Sequence, residues 1–251
     1  MNLLASEWIK ARSIRGTWLT AIAGVFATVA IGLLGIAGLL ESWHTELPEG
    51  WDPTAISLKG ILVGQLLFGM LGAAAVTSEY ATGMISTSLS VVPQRSRLLA
   101  AKAAVTAAIA AVASILAVTA SFLAGQAIIR AAGLPAAPLD DPAVTRALLC
   151  AALYLTLTAL LGLAFGIFTR SSSGALSIIV AIALLAPALL PALPGAVGET
   201  VARFWPTTAG QAGYTVVATD GVPPLVGIGV LTLFTLYVSI ASHLVLRARD
   251  V

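Results

Sequence analysis

Six apolar runs dominate the chain: 17–40, 58–78, 103–129, 147–168, 175–193 and 224–246. Each is close to the roughly 20 residues a helix needs to cross a bilayer's hydrocarbon core. Polar stretches carrying charge, Gly and Pro separate them. The pattern predicts an all-α integral membrane protein with about six transmembrane helices. The second run carries Lys59 at its start, where a long side chain reaches the headgroups. The third is long and Ala-rich, which predicts tilt or projection into water. The fifth ends in "APALLPALPG", where prolines kink or close the helix. Ahead of the first run, "MNLLASEWIKARSIRGTW" puts Leu4, Trp8, Ala11 and Trp18 on one helical face, with Lys10 and Arg12 elsewhere. That is the pattern of a helix lying in the membrane interface over residues 1–16. Trp8, Lys10, Arg12 and Trp18 are its interfacial anchors. A short tail with one aromatic anchor is the alternative.

Composition agrees. Hydrophobic residues make up 59% of the chain, charged residues only 10%, and mean hydropathy is +1.00. Soluble domains carry about 25% charge. A net charge of +2 leaves no footprint for nucleic acid, so the positive residues matter through their positions. With the N-terminus inside, Lys10, Arg12, Arg15, Arg95, Arg97, Lys102, Arg170, Arg247 and Arg249 are cytoplasmic, and Lys59, Arg130, Arg146 and Arg203 fall outside. That split of nine to four obeys the positive-inside rule. Glu41, Glu46, Glu49, Asp52, Asp140, Asp141, Glu199 and Asp220 all fall outside. The expected placement is a multi-pass protein of the cell membrane with both termini cytoplasmic. The first run is too long for a cleavable signal, and a single cysteine, Cys150, excludes an intrachain disulfide.

Catalytic groupings are missing from the sequence. The histidines are His44 and His243, with no G-x-S-x-G elbow and no zinc-binding helix. There is no phosphate loop, so the chain is not expected to hydrolyse ATP or to bind a cofactor or metal itself. No span carries an acidic residue near its middle, where a proton-coupled carrier would be expected to have one. The central polar groups are Gln65, Ser114, Thr119, Thr156, Thr158, Ser177, Thr232 and Thr235, expected to hydrogen-bond to neighbouring helices. Gly60-x-x-x-Gly64 and Gly162-x-x-x-Gly166 allow close helix packing.

The remaining feature is a polar stretch with the pattern of an ordered segment: "TSEYATGMISTSLSVVPQRSRLLAAK", between the second and third spans. On a helical wheel Ala81, Ile85, Leu89 and Val92 form an apolar stripe, flanked by Tyr80, Met84 and Val91. Glu79, Gly83, Ser86, Thr87, Ser90 and Gln94 lie opposite. Pro93 stops the helix, and Arg95, Arg97 and Lys102 mark the start of the third span. The pattern fits either a re-entry loop or a helix that docks a cytoplasmic partner. Glu79, at the end of the second span, is expected to form an ion pair or a capping bond, with Arg95, Arg97 or a partner residue.

This stretch resembles the ATP-binding-cassette type-2 exporter permeases, on Glu79, Tyr80, Gly83, Ile85, Thr87, Leu89, Pro93 and Lys102, with Arg95 or Arg97 in the basic position. Met84 departs from the family's usual Thr. "EWIKARSIRGTW" is similar to the family's connecting helix, and "RFWPTTAGQAG" to its outer segment between spans five and six. The resemblance implies one transmembrane permease domain over 1–251 with a coupling segment at 79–97 and an outer segment at 195–223. It further implies two copies of a cognate ATPase, which would hold the ATP and Mg, and a second permease, identical or related. The ATPase-coupling residues would be Glu79, Tyr80, Gly83, Ile85, Thr87, Leu89, Val92, Pro93, Arg95 and Arg97. The implied activity is export of a hydrophobic, peptide or drug-like substrate. The alternative is a secondary carrier, channel or membrane scaffold that has no ATPase.

Overall fold

The structure is a computed structural model that describes residues 3–40, 50–84, 95–217 and 221–248. Among the described residues every regular element is helical, and six helices are long and apolar enough to cross a membrane. They are α2 (Arg15–Leu40), α4 (Ile61–Ala81), α5 (Arg95–Ala131), α6 (Pro142–Thr169), a composite fifth and α11 (Pro224–Ala248). The fifth runs as α7 (Ser172–Val180), a π turn (Ala181–Leu185), α8 (Ala186–Leu189) and a 3₁₀ turn (Leu190–Ala192). Short helices complete the chain: α1 (Leu3–Ser13), α3 (Pro53–Ser57), α9 (Gly195–Phe204) and α10 (Pro206–Ala212).

α6 is the axis of the bundle. Its most apolar stretch is 72% buried, against 17% for the fifth helix and 28% for α2, whose outer faces are left for lipid or a partner. α4 and α6 touch backbone to backbone. A Cβ on Gly72 would sit 1.7 Å from the Ala159 carbonyl oxygen, and one on Gly162 would sit 1.8 Å from that of Gly69. In lipid there is little hydrophobic drive between helices, so close approach at small residues supplies the packing. Gly60 and Gly64 do the same for α4 against Thr28 of α2. Both glycine pairs noted in the sequence therefore lie at real helix contacts.

The bundle has two distinct ends. At the proximal end, Val76 of α4, Leu163 and Ile167 of α6 and Leu246 of α11 pack together, with Leu99 and Ala103 of α5 against them. This brings the last turn of α11 and the end of α4 to the same end. At the distal end, Ile36, Ile56 and Ile129 form a separate cluster. Asp52 ties that end together. Its Oδ1 accepts the backbone N–H groups of Thr54 and Ala55 at 3.0 Å, capping α3. Its Oδ2 accepts those of Val216 and Val217 at 2.6 and 3.0 Å.

Several expectations need correction. Span two begins at Ile61, and Lys59 is exposed in the turn before it. The third helix starts at Arg95; at 37 residues it is about 55 Å long and outruns the bilayer. Trp18 does not continue the α1 face: the helix breaks at Ile14, and Trp18 belongs to α2. Of the central polar groups, Gln65 accepts from the Tyr154 hydroxyl at 2.5 Å, and Ser114 meets Thr156 at 3.2 Å across helices. Thr158, Ser177, Thr232 and Thr235 instead bond back to carbonyls four residues earlier in their own helices.

Residues 195–212, within the segment expected to lie between spans five and six, fold as the α9–α10 pair. The Trp205 indole donates to the Ile182 carbonyl at 2.7 Å, and the Thr207 hydroxyl donates to the same oxygen at 3.0 Å. Ile182 lies inside the π turn, where the widened helix redirects its carbonyl. Trp205 and Thr207 thus anchor this pair to the middle of the fifth helix.

Candidate functional site

The wheel drawn through 79–94 is not continuous. Glu79, Tyr80 and Ala81 are the last turn of α4. The helix closes at Thr82, and Gly83 adopts φ +70°, a left-handed conformation that favours glycine. The chain turns there, so α4 itself does not run on past Thr82. Ile85, Thr87, Leu89, Val92 and Pro93 lie outside the described residues. Arg95 and Arg97 open α5, and Arg97 is exposed.

Glu79 turns inward instead. It is 5% exposed and meets Lys102 of α5, 5% exposed, and Glu7 of α1, 4% exposed, in a buried cluster. Lys102 Nζ donates to Glu79 Oε1 at 2.5 Å and to Glu7 Oε2 at 2.7 Å. Lys10 Nζ donates to Glu7 Oε1 at 2.8 Å and to Glu79 Oε1 at 3.2 Å. Two carboxylates and two ammoniums balance, which is how charge is tolerated in an apolar setting. Burial works to raise the Glu7 carboxyl, but its bonds to Lys10 and Lys102 and their charges outweigh burial and hold it below the usual value. Burial likewise opposes the charged Lys10, and Glu7 and Glu79 outweigh it and hold its ammonium above the usual value.

The cluster joins three elements. α1 contributes Glu7 and Lys10, one turn apart on the same face. The end of α4 contributes Glu79, and the second turn of α5 contributes Lys102. The α4–α5 connection therefore leaves and returns through helices that are pinned to one another. Glu79 Oε2 has no protein partner among the described residues. A cavity of about 40 Å³ beside the cluster, lined by Ser78, Glu79, Lys102 and Thr106 among others, has room for a water. The α6–α7 turn adds two further contacts to the end of α4. The Arg170 guanidinium lies over the Tyr80 ring at 5.4 Å, and the Thr77 and Ser172 hydroxyls meet at 2.5 Å.

The sequence points to Glu79 as an ion-pairing residue, with Arg95, Arg97 or a residue of a partner protein as its expected partners. Among the described residues its partners are instead Lys102 and Lys10. Lys10, expected as an interfacial anchor, is drawn into the cluster. Glu7 was not singled out at all. A signal was available: only three acidic residues, Glu7, Glu79 and Asp250, fall on the positive side of the sequence. Two of them form this site. Trp8, Arg12 and Trp18 remain exposed at the surface.

The family model described as ABC-2 family transporter protein matches residues 3–191, which contain the whole cluster. The chain belongs to the ABC-2 transporter family. It is thus a permease subunit, the membrane-spanning component of an ABC transporter, in which ATP hydrolysis is not the permease's own task. No curated protein matches the chain.

Proposed function

We propose that this permease is an exporter subunit of the cell membrane. Its proximal end, with both termini, faces the cytoplasm, and α1 lies in the inner interface. It works with a second permease, identical or related, above two copies of a cognate ATPase that hold ATP and Mg. The α4–α5 connection is the ATPase-coupling element, through Glu79, Tyr80, Gly83, Ile85, Thr87, Leu89, Val92, Pro93, Arg95 and Arg97. The observation that carries this reading is the pinning of both stems of that connection, at Glu79 and Lys102, to each other and to α1. A push on the connection is then delivered to α1, α4 and α5 together. The predominantly apolar spans favour a hydrophobic, peptide or drug-like cargo.

Co-expression with the cognate ATPase tests this. Replacing Ile85 and Leu89 by Asp removes apolar docking surface and adds charge that must be desolvated. Those variants are expected to insert normally, to lose ATPase co-purification and to lose transport. Glu79→Gln keeps the complex assembled but loosens the stems, so ATP is hydrolysed without export. Single cysteines at Gly50 and Val217, in a background without Cys150, are expected to label from outside, and those at Ser96 and Ser171 are not. Wild-type co-purification and transport by the Asp double variant, or gradient-driven transport by the chain alone, overturns the reading.

A further inference from the structure

A groove of about 550 Å³ runs along the side of the bundle between α2 and α5, lined by Trp8, Trp18, Phe26, Ala108, Val112 and Leu116 among others. Its volume lies within the about 300–1,000 Å³ typical of ligand pockets, and its walls are almost wholly apolar. On α2 it extends from Trp18 to Val29, about 16 Å at the helical rise. That is about half of the roughly 30 Å hydrocarbon core, or one leaflet. A helix from a second copy packed side by side would need a seam along the whole span. The length fits the acyl chain of a lipid from the leaflet at the α1 end.

The mouth of the groove is basic and aromatic. Trp8 of α1 and Trp18 of α2 stand there, 44% and 39% exposed. The Trp18 indole donates to the Arg12 carbonyl at 3.2 Å, which places Arg12 beside it, and Arg15 is one turn before Trp18. Both arginines are exposed, and neither side chain has a hydrogen bond or ion pair among the described residues. Lys10, by contrast, is committed to the buried cluster. Two unpaired guanidiniums over an apolar slot one leaflet deep are complementary to an amphiphile with an anionic head. A shallower groove over Leu4, Ala5 and Ala104 meets the first at Trp8 and Ala108 and leaves space for a second chain.

We propose that this groove binds an anionic phospholipid, with its phosphate on Arg12 and Arg15 and an acyl chain between α2 and α5. The inference is independent of the cargo and of the ATPase reading. The full chain is reconstituted in phosphatidylcholine vesicles containing chain-brominated phosphatidylglycerol or chain-brominated phosphatidylcholine. Bromine quenches indole fluorescence on contact. Subtracting a Trp8→Phe, Trp18→Phe variant isolates the signal from the groove. Half-maximal quenching of that signal is expected at a mole fraction of the anionic lipid lower by on the order of twentyfold, the product of the two arginines' contributions. Arg12→Gln and Arg15→Gln should each reduce the preference, by on the order of fivefold, and Arg12→Lys should retain it. Ala108→Phe, which fills the slot from an exposed position, should abolish the quenching for either headgroup. Equal half-maxima for the two lipids mean ordinary boundary lipid and overturn the proposal. So does an absence of quenching by either, which means that another protein surface covers the groove, and so does unchanged quenching in Ala108→Phe.

Discussion

Glu7 and Lys102 stand 95 positions apart in the chain and meet at 2.7 Å, with both side chains 5% exposed. The contact fixes an N-terminal helix to the base of a transmembrane helix. Glu79, held by the same lysine, extends the connection to α4.

Removing one member of such a cluster strands the opposite charge. Lys102→Met leaves two buried carboxylates that only Lys10 balances, and is expected to cost about 3–5 kcal/mol. Adding Glu79→Gln to it should cost less than the sum of the two single changes, with a coupling of about 0.5–3 kcal/mol. Unfolding titrations of the four proteins in mixed detergent give the cycle. Strict additivity would show that the pair does not act as a unit.

The same cluster sets a pH window. The Glu7 carboxyl is held below its ordinary 4.5, so its stabilisation is complete above that value and is lost as pH falls through the lower folded-state value. The Lys10 ammonium is held above 10.5, so its contribution is complete below that value and is lost as pH rises through the higher folded-state value. Thermal stability is expected to hold a plateau between these limits as far as this cluster contributes, with Glu7→Gln lowering the plateau and flattening the acid limb. Identical acid limbs for the variant and the wild type would contradict the assignment.

Gly72 and Gly229 should respond oppositely to one methyl group. At Gly72 the added Cβ meets the Ala159 carbonyl oxygen at 1.7 Å, so α4 and α6 must separate. Gly72→Ala is expected to destabilise by about 1–3 kcal/mol or more. At Gly229, in α11, nothing lies within 4 Å of the added atom. There the gain in helix propensity, about 0.5–1 kcal/mol, should stand alone. Comparing melting temperatures of the two variants checks both signs.

Asp52→Ala removes the acceptor of four backbone N–H groups at the distal end. Loss of the α3 cap costs about 0.5–2 kcal/mol. The amides of Val216 and Val217 lose their partner as well, at about 1–3 kcal/mol for each that stays buried. Protease cleavage after α10 should accelerate while the proximal cluster stays intact, as read by unchanged protection of α1. Equal loosening of both ends would mean that the distal tie is not a local one.

The sequence by itself determined the number of membrane-length helices, their approximate bounds and the class of protein. These follow from one-dimensional requirements: a span must be long and apolar enough for the hydrocarbon core, whatever it packs against. It also marked Glu79 and the two pairs of glycines as places where something other than a bilayer constrains the chain, whereas the turn at Gly83 came only from the structure. Only the tertiary structure decided what each of them meets. Glu79 finds Lys102 because α5 returns beside the end of α4, and Lys10 because α1 packs against them, and no local pattern encodes either return. Gly72 and Gly162 lie in a backbone seam because α4 and α6 are neighbours, and small residues permit close approach without choosing the partner. Asp52 reaches Val216 across 164 positions because α3 and the end of α10 share the distal end. Spacing along a chain constrains residues within a helical turn or two. Pairing between helices depends on which faces the assembled bundle leaves in contact.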